Sequence, residues 1–329
     1  MDSTSNGAVA RIALDDLGFV GGDLRRPECV LAAADGTVFT SNWDGGVSRI
    51  APDGTTTALL AADDRWLRPN GIALRRTGSF LTAHLGDDDG GVFELFADGT
   101  LAPLLTEIDG VDLPPTNFVT IDERDRIWIT VSTRLRPRAL GYRSDVDDGF
   151  LVVIDGRGAR IAADGLGYTN EAQLHPDGRH LYVNETFARR LSRFRVGDDG
   201  SLGPRSTVCE FGAGTFPDGL AFDEAGGVWI TSIISNRVIR VDPEGGQTLI
   251  VADADPDALA DVEDAFQAGR LDRTHLAADH GRRLTNISSL CFGGPGRRTA
   301  YLGCLTGRSV ATFPSPIAGV EPHHWRVKA

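Results

Sequence analysis

Lysine and cysteine are scarce in this chain of 329 residues, and its 33 basic residues are outnumbered by 46 acidic ones. Its only lysine is Lys328, so we expect no lysine-based Schiff-base chemistry. The four cysteines lack metal-site spacing and are too few for a disulfide framework, so reduced and mostly buried thiols are expected. The formal net charge of −13 argues against nucleic acid, whose phosphates require a basic face, and against anionic membrane surfaces.

Long apolar runs and targeting signals are missing as well. No segment reaches the ~20 apolar residues that cross a bilayer. Residues 1–6 do not form the basic start, followed by an apolar run, with which a secretion signal begins. We therefore expect a cytoplasmic protein that acts on a small-molecule substrate and binds neither nucleic acid nor membrane, with homo-oligomer formation left open.

Glycine, by contrast, is abundant at 40 residues, and it falls in the turns of a repeated pattern. The clearest copy is residues 216–231, where a turn and a polar residue precede two short apolar strands separated by an acidic-glycine turn. Six copies each begin with one carboxylate or carboxamide, at Glu28, Asn70, Asn117, Asn170, Asp218 and Asn286. These head residues are 42, 47, 53, 48 and 68 positions apart. Paired short strands with a period of about 40–50 residues are typical of propeller blades, so we predict one all-β domain over residues 1–329, a six-bladed β-propeller.

Two segments fall outside the repeat. Residues 8–14 are predicted to form a strand that completes the last blade and closes the ring. Residues 253–282, between repeats five and six, predict a short helical insertion, because Leu259, Val262 and Phe266 share one helical face. Such an insertion is either a lid over the central channel or a subunit contact, and the sequence favours neither.

The head residues predict a cation site. The innermost strands of a propeller run beside one axis, so their first residues converge at one mouth of the channel. Turn formation explains a single Asn or Asp at such a position, but not six equivalent ones that include a glutamate. Two carboxylates this close repel unless a positive charge lies between them. All-oxygen ligands indicate Ca²⁺, with Mg²⁺ or Mn²⁺ as alternatives. We predict Glu28, Asn170 and Asp218 as ligands, and Asn117 as a fourth ligand or a substrate contact.

A second group of candidates lies fourteen positions after the heads, one inner hairpin further along the chain. We expect the substrate pocket to be lined by residues of both groups and by two apolar neighbours: Asn70, Asn117, Asn42, His84, Asn184, Ser232, Trp43 and Phe118. His84 is a candidate general base or hydrogen-bond donor, although a lone histidine is more often structural.

These motifs resemble the regucalcin, gluconolactonase and luciferin-regenerating-enzyme family of calcium-dependent six-bladed propellers, over about residues 15–315. The most specific pieces are Pro-Asp-Gly at 217–219, Thr-Asn at 169–170 ahead of Pro-Asp-Gly at 176–178, and Thr-Asn at 116–117. The resemblance implies that Glu28, Asn170 and Asp218 hold calcium and that Asn117 lies beside it. Related calcium propellers hydrolyse lactones, organophosphates or other esters.

The chain departs from the family pattern at three places. Cys29-Val30 stands where the family often has Gly-Pro, Phe118 where it often has Asp, and Pro115 where it has a substrate-binding arginine. These losses favour a more apolar substrate than a sugar-acid lactone.

The expected function is metal-assisted hydrolysis of a lactone or ester. The cation would polarise the carbonyl group, and Asp218 or a metal-bound water would act as base or nucleophile. No Gly-x-Ser-x-Gly nucleophile elbow is present, which disfavours an acyl-enzyme route. Two alternatives stay open: a non-hydrolytic enzyme similar to the strictosidine-synthase-like propellers, and a binding propeller without catalysis.

Overall fold

Each repeat of the sequence folds into one four-stranded antiparallel sheet, and six such sheets form the blades of a β-propeller. The computed structural model describes residues 10–63 and 67–327. The prediction of a six-bladed propeller with a helical insertion is confirmed.

The strands follow the chain blade by blade. Gly18–Val20 (β1) comes first, and blade one follows with Val30–Ala32 (β2), Val38–Asn42 (β3), Gly46–Ile50 (β4) and Thr56–Leu60 (β5). Blade two has Pro69–Leu74 (β6), Phe80–Leu85 (β7), Gly90–Leu95 (β8) and Leu101–Leu105 (β9), and a small hairpin of Glu107–Ile108 (β10) and Val111–Asp112 (β11) follows it. Blade three has Thr116–Ile121 (β12), Ile127–Val131 (β13), Gly149–Asp155 (β14) and Gly158–Leu166 (β15).

The second half of the ring repeats this order. Blade four has Thr169–Leu174 (β16), His180–Glu185 (β17), Arg190–Arg195 (β18) and Ser206–Glu210 (β19). Blade five has Phe216–Phe222 (β20), Val228–Ile233 (β21), Arg237–Val241 (β22) and Gln247–Ala252 (β23). Blade six has Ile287–Gly293 (β24), Thr299–Cys304 (β25) and Val310–Pro314 (β26), with β1 as its outer strand.

An N-terminal strand closes the ring, but not the one predicted. Gly18–Val20 pairs with β26 in an antiparallel register, whereas the prediction placed this strand at 8–14. Residues 8 and 9 lie outside the described residues, and Leu14–Asp16 forms a 3-10 helix. The apolar residues Ile12 and Leu14 pack instead on the hydrophobic cluster between blades five and six. Their apolar character therefore reflects packing rather than strand pairing.

The blades pack through apolar side chains on both faces of their inner strands. Trp128 in blade three and Trp229 in blade five are fully buried, and the indole of each donates a hydrogen bond of 2.8 Å to an aspartate six residues earlier. Neighbouring inner strands approach closely, so a Cβ at Gly219 would lie 2.5 Å from the carbonyl oxygen of Ser288. Glycine is therefore required directly after the head residue of blade five.

The inner strands are irregular at the head residues. In β6, β12, β16, β20 and β24, the register with the second strand shifts at the start of the inner strand. A β-bulge inserts an unpaired residue and changes the direction of the side chains around it. The shifts in β6, β12, β16 and β20 span the head residues of those blades, whereas the shift in β24 comes after Asn286.

The insertion between blades five and six contains two helices, Pro256–Gln267 (α1) and Arg273–Ala277 (α2). Asp255 caps α1 by accepting hydrogen bonds from the backbone N–H groups of Asp257 and Ala258. Val262, Ala265 and Phe266 are buried, as the helical periodicity predicts.

The four cysteines are all free thiols, as expected. Within the described residues, no helix is long and apolar enough to span a membrane.

Candidate functional site

Five of the six head residues line one cavity of about 210 Å³, called here the site cavity. These five are Glu28, Asn70, Asn117, Asn170 and Asp218, and each is at most 4% exposed. The sixth, Asn286, is buried but makes backbone contacts instead. Its Oδ1 accepts a hydrogen bond of 2.7 Å from the N–H of Ile234, and its Nδ2 donates to the carbonyl oxygen of Leu276 in α2.

Three buried side-chain oxygens in this cavity have no hydrogen-bond partner among the described residues: Glu28 Oε2, Asn170 Oδ1 and Asp218 Oδ1. The Nδ2 of Asn170 donates to Thr186 Oγ1 at 3.1 Å, which fixes the orientation of the amide. An unsatisfied buried oxygen costs about 1–3 kcal/mol, and one that is charged costs more. Three such oxygens in one cavity fit a ligand set for a cation.

The oxygen atoms available as ligands in the site cavity indicate which kind of metal could bind there. The described part of the chain has no cluster of three or more His, Cys, Asp or Glu side chains that could hold an ion. A metal in the site cavity therefore depends on amide oxygens in addition to Glu28 and Asp218. Carboxylate and amide oxygens suit a hard cation such as Ca²⁺, and they are poor ligands for softer metals.

Burial disfavours the simultaneous ionisation of Glu28 and Asp218. It raises the pKa of Glu28 to about 7, although the positive charge of Arg26 opposes the shift. Burial, followed by the negative charges of Glu28 and Glu171, raises the pKa of Asp218 well above its ordinary value. Two carboxylates held in this way favour a positively charged ligand.

Asn70 connects the site residues to each other. Its Nδ2 donates to Glu28 Oε1 at 2.9 Å and to the carbonyl oxygen of Asn117 at 3.1 Å. Its Oδ1 accepts a hydrogen bond of 2.8 Å from Arg26, whose guanidinium lies 4.2 Å from the ring centroid of Trp43. Asn70 was predicted to contact substrate, and in the structure its amide holds Glu28 in place.

Among the other residues expected around the substrate, Trp43 lines the site cavity, whereas His84, Asn184 and Phe118 are not among its lining residues. His84 accepts a hydrogen bond of 2.9 Å at Nδ1 from the backbone N–H of Arg68. Asn184 donates to the carbonyl oxygens of Asp218 and Gly219, at 2.9 and 3.0 Å. Phe118 lines a separate, larger cavity of about 1040 Å³.

The arginines and tyrosines of the site cavity were not predicted from the sequence. Arg26 and Arg138 line it, together with Tyr142 and Tyr168. Arg138 and Tyr142 lie between β13 and β14, within residues 134–148, a stretch rich in arginine and aspartate. The arginine content of this stretch was the feature of the sequence that could have indicated a contribution to the site.

The helical insertion contributes to the same cavity. Arg273, Leu276 and Ala277 of α2 line it. Phe266 of α1 packs on Phe187 and Phe216, with ring centroids 6.0 and 5.4 Å apart, and Phe187 is itself a lining residue. Helix α2 therefore forms part of the wall of the site cavity.

Comparison with known proteins adds a family. The family model described as "SMP-30/Gluconolactonase/LRE-like region" matches residues 27–254. Among curated proteins, 6-deoxy-6-sulfogluconolactonase of Pseudomonas putida is 30% identical over 206 residues, which are 61% of this chain and 65% of that protein. Protein strictosidine synthase-like 6 of Arabidopsis thaliana is 28% identical over 64% of this chain and 58% of its own length. The chain thus spans less than two thirds of the length of these two relatives.

Solved structures show the same fold. A gluconolactonase from Xanthomonas campestris superposes with a TM-score of 0.66 and 18% identity, covering 94% of each chain. The calcium-binding protein regucalcin from Agrobacterium tumefaciens superposes with a TM-score of 0.68 and 15% identity, covering 98% of each chain. At these low sequence identities, the two superpositions show that the fold is shared, and they carry no conclusion about function.

Proposed function

We propose a function for this chain from the premise that it belongs to the SMP-30/gluconolactonase/LRE-like family. The protein is a hydrolase of lactones or related esters and depends on a divalent cation, with Ca²⁺ first and Mg²⁺ or Mn²⁺ as alternatives. The names of two curated relatives support the reaction class, since one is a 6-deoxy-6-sulfogluconolactonase and another is the lactonase drp35 of Staphylococcus saprophyticus.

The observation that carries the proposal is the set of unpartnered oxygens in the site cavity. Glu28 Oε2, Asn170 Oδ1 and Asp218 Oδ1 come from blades one, four and five, and all three are buried without a hydrogen bond from a described residue. We assign these three residues as cation ligands, with Asn117 as a fourth ligand or a substrate contact. A propeller that only bound an apolar partner would have no use for three such oxygens.

In the proposed reaction, water attacks the carbonyl carbon of the substrate and the bond to the leaving oxygen breaks. The cation, when bound, supplies positive charge where the carbonyl oxygen becomes negative. Asp218 accepts the proton of the attacking water and returns it to the leaving oxygen. Asn117 and Asn170 orient the acyl group, and Asn70 keeps Glu28 in position through its hydrogen bond of 2.9 Å.

A non-hydrolytic enzyme is the second candidate, because the strictosidine synthase-like relatives are similar over comparable lengths. Such a reaction needs an apolar pocket and an acid or base, but it has no need of a metal. The aromatic wall of Tyr142, Tyr168 and Phe187 is compatible with it. Metal dependence of turnover therefore separates the two candidates.

The first prediction tests the hydrolase assignment. Asp218→Asn removes a ligand charge and the proposed base, so we expect hydrolysis of simple lactones and aryl esters to fall at least about 100-fold. Chelation of the wild-type protein should have the same effect, and added Ca²⁺ should restore the rate.

The matched control is Asp44→Asn, at an exposed carboxylate that neighbours Trp43 and pairs with Arg25 at 3.1 Å. This variant should keep the wild-type rate. Full activity of D218N, or activity that survives chelation, would contradict the hydrolase mechanism.

A further inference from the structure

We propose that the substrate carries a separate anionic group, such as a phosphate, sulfonate or carboxylate, and that Arg138 binds this group. The inference rests on the proposed function, because it names the substrate class of the same cavity. It replaces the expectation of a more apolar substrate, which followed from the departures from the family pattern at Cys29-Val30, Phe118 and Pro115.

Arg138 is placed over the cavity with most of its donors unused. It begins the 3-10 helix Arg138–Gly141 in the segment between β13 and β14, and its side chain lines the site cavity. Its Nε is buried and has no hydrogen-bond partner among the described residues. To the part of the chain that the structure describes, its Nη1 donates only a long bond of 3.5 Å, to the hydroxyl oxygen of Tyr168. A guanidinium has five N–H donors in a planar fork, which matches an oxyanion.

With a divalent cation bound, the charged groups of the cavity do not balance without an anion. Glu28 and Asp218 together match the charge of one divalent cation. The side-chain hydrogen bonds of Arg26 and Arg138 go to neutral groups, at Asn70 Oδ1 and the hydroxyl of Tyr168. When the cation takes up the charge of both carboxylates, the two guanidinium charges are left in a partly buried space, where an uncompensated charge is costly. An anionic substituent on the substrate supplies the missing negative charge.

Arg138 fits this role better than the other arginine on the same side, Arg273. Arg273 of α2 also lines the cavity, but its Nη1 lies 3.4 Å from Asp87 Oδ1, so its charge is already shared. The wall around Arg138 is aromatic, with the ring centroids of Tyr142 and Tyr168 5.4 Å apart. An apolar wall keeps water away from the guanidinium and strengthens its interaction with an anion.

The test compares two substrates that differ by one anionic group, 6-phosphoglucono-δ-lactone and glucono-δ-lactone. The kcat/KM ratio of the two is measured for the calcium-loaded wild-type protein and for Arg138→Met, Arg138→Lys and Arg143→Met. Arg143 is the matched control, because it lies in the same segment, is exposed and pairs with Asp145 at 2.8 Å. Binding of the open-chain products, 6-phosphogluconate and gluconate, is measured by titration calorimetry on the same proteins.

We expect the wild-type protein to prefer the phosphorylated compound in both measurements. R138M should lower this preference about 10- to 100-fold, R138K should lower it less, and R143M should keep it. A wild-type preference near one, or an unchanged preference in R138M and R138K, would overturn the proposal. If the wild-type protein hydrolyses neither these lactones nor aryl esters, the proposed function fails, and the product-binding ratio still decides whether Arg138 binds an anion.

Discussion

At the scale of single residues, Asn70 shows how the site is held together. Every polar atom of its side chain is engaged by another site residue, namely Glu28, Asn117 or Arg26. Such an amide fixes the direction of a ligand carboxylate rather than contacting a ligand itself. Residues that orient metal ligands typically change metal affinity by 10–100-fold when they are mutated.

We therefore predict that Asn70→Ala weakens binding of Ca²⁺ by about 10- to 100-fold, since Glu28 loses the hydrogen bond that positions it. Titration calorimetry measures the change directly. Asn42→Ala is the matched control, because Asn42 is also buried and its amide bonds only Ser48 and the backbone of Asp44. An equal loss of affinity in both variants would show that general destabilisation, and not the position of Glu28, is responsible.

The sequence predicted the head residues for a physical reason. Glu28, Asn170 and Asp218 occupy the same position in a repeat, and equivalent positions of a propeller lie around one axis. His84 and Asn184 were predicted by counting residues along a strand. Such counting gives the position of a residue along the propeller axis, but not the face of the strand from which its side chain projects. Side chains alternate between two faces of a strand, so a residue at the right height can point away from the cavity.

At the scale of elements, the segments without a repeat equivalent complete the cavity. The segment between β13 and β14 brings Arg138 and Tyr142, and α2 brings Arg273 and Leu276. The blade repeat holds no information about segments that have no equivalent in the other blades. The helical spacing of apolar residues predicted that α1 exists, but it could not predict which residues α1 packs on. The bulges of the inner strands could not be predicted from the sequence either, because they depend on how two strands pair.

An ion pair between Arg189 and Glu263 connects helix α1 to blade four. Arg189 donates hydrogen bonds of 2.9 and 2.6 Å to Glu263, and its guanidinium lies 4.2 Å from the ring centroid of Phe266. Burial opposes ionisation of Glu263, but hydrogen bonds from Arg189, Gln267 and the backbone of Gly214 lower its pKa from 4.5 to about 2. The stabilisation from this ionised pair is therefore complete above pH 4.5 and is lost as the pH falls towards 2.

We predict that Glu263→Gln lowers the free energy of unfolding by about 1–2 kcal/mol at pH 7. The deficit relative to the wild-type protein should shrink at pH 3.5, since Glu263 becomes protonated in the unfolded chain and its charge then stabilises the folded state less. Urea unfolding at the two pH values measures the difference, with the exposed neighbour Asp264→Asn as control. A deficit that is the same at both pH values would rule out the ionised pair as its cause.

At the scale of the whole molecule, the propeller is a closed ring in which each blade contacts its neighbours. Gly18–Val20 joins the start of the chain to β26, and this pairing is the covalently distant contact that completes blade six. The site lies at the axis, where blades one, four and five contribute Glu28, Asn170 and Asp218. A cation held by all three would link blades that are far apart in the ring.

The most direct test of this account is calorimetric thermal unfolding at increasing Ca²⁺ concentrations. A cation that binds only the folded ring stabilises it by about 2.7 kcal/mol at one hundred times its Kd, which corresponds to a rise in Tm of about 4 °C. We predict this rise for the wild-type protein and its loss in D218N. A wild-type Tm that does not depend on Ca²⁺, or an equal rise in D218N, would contradict the claim that these three residues share one ion.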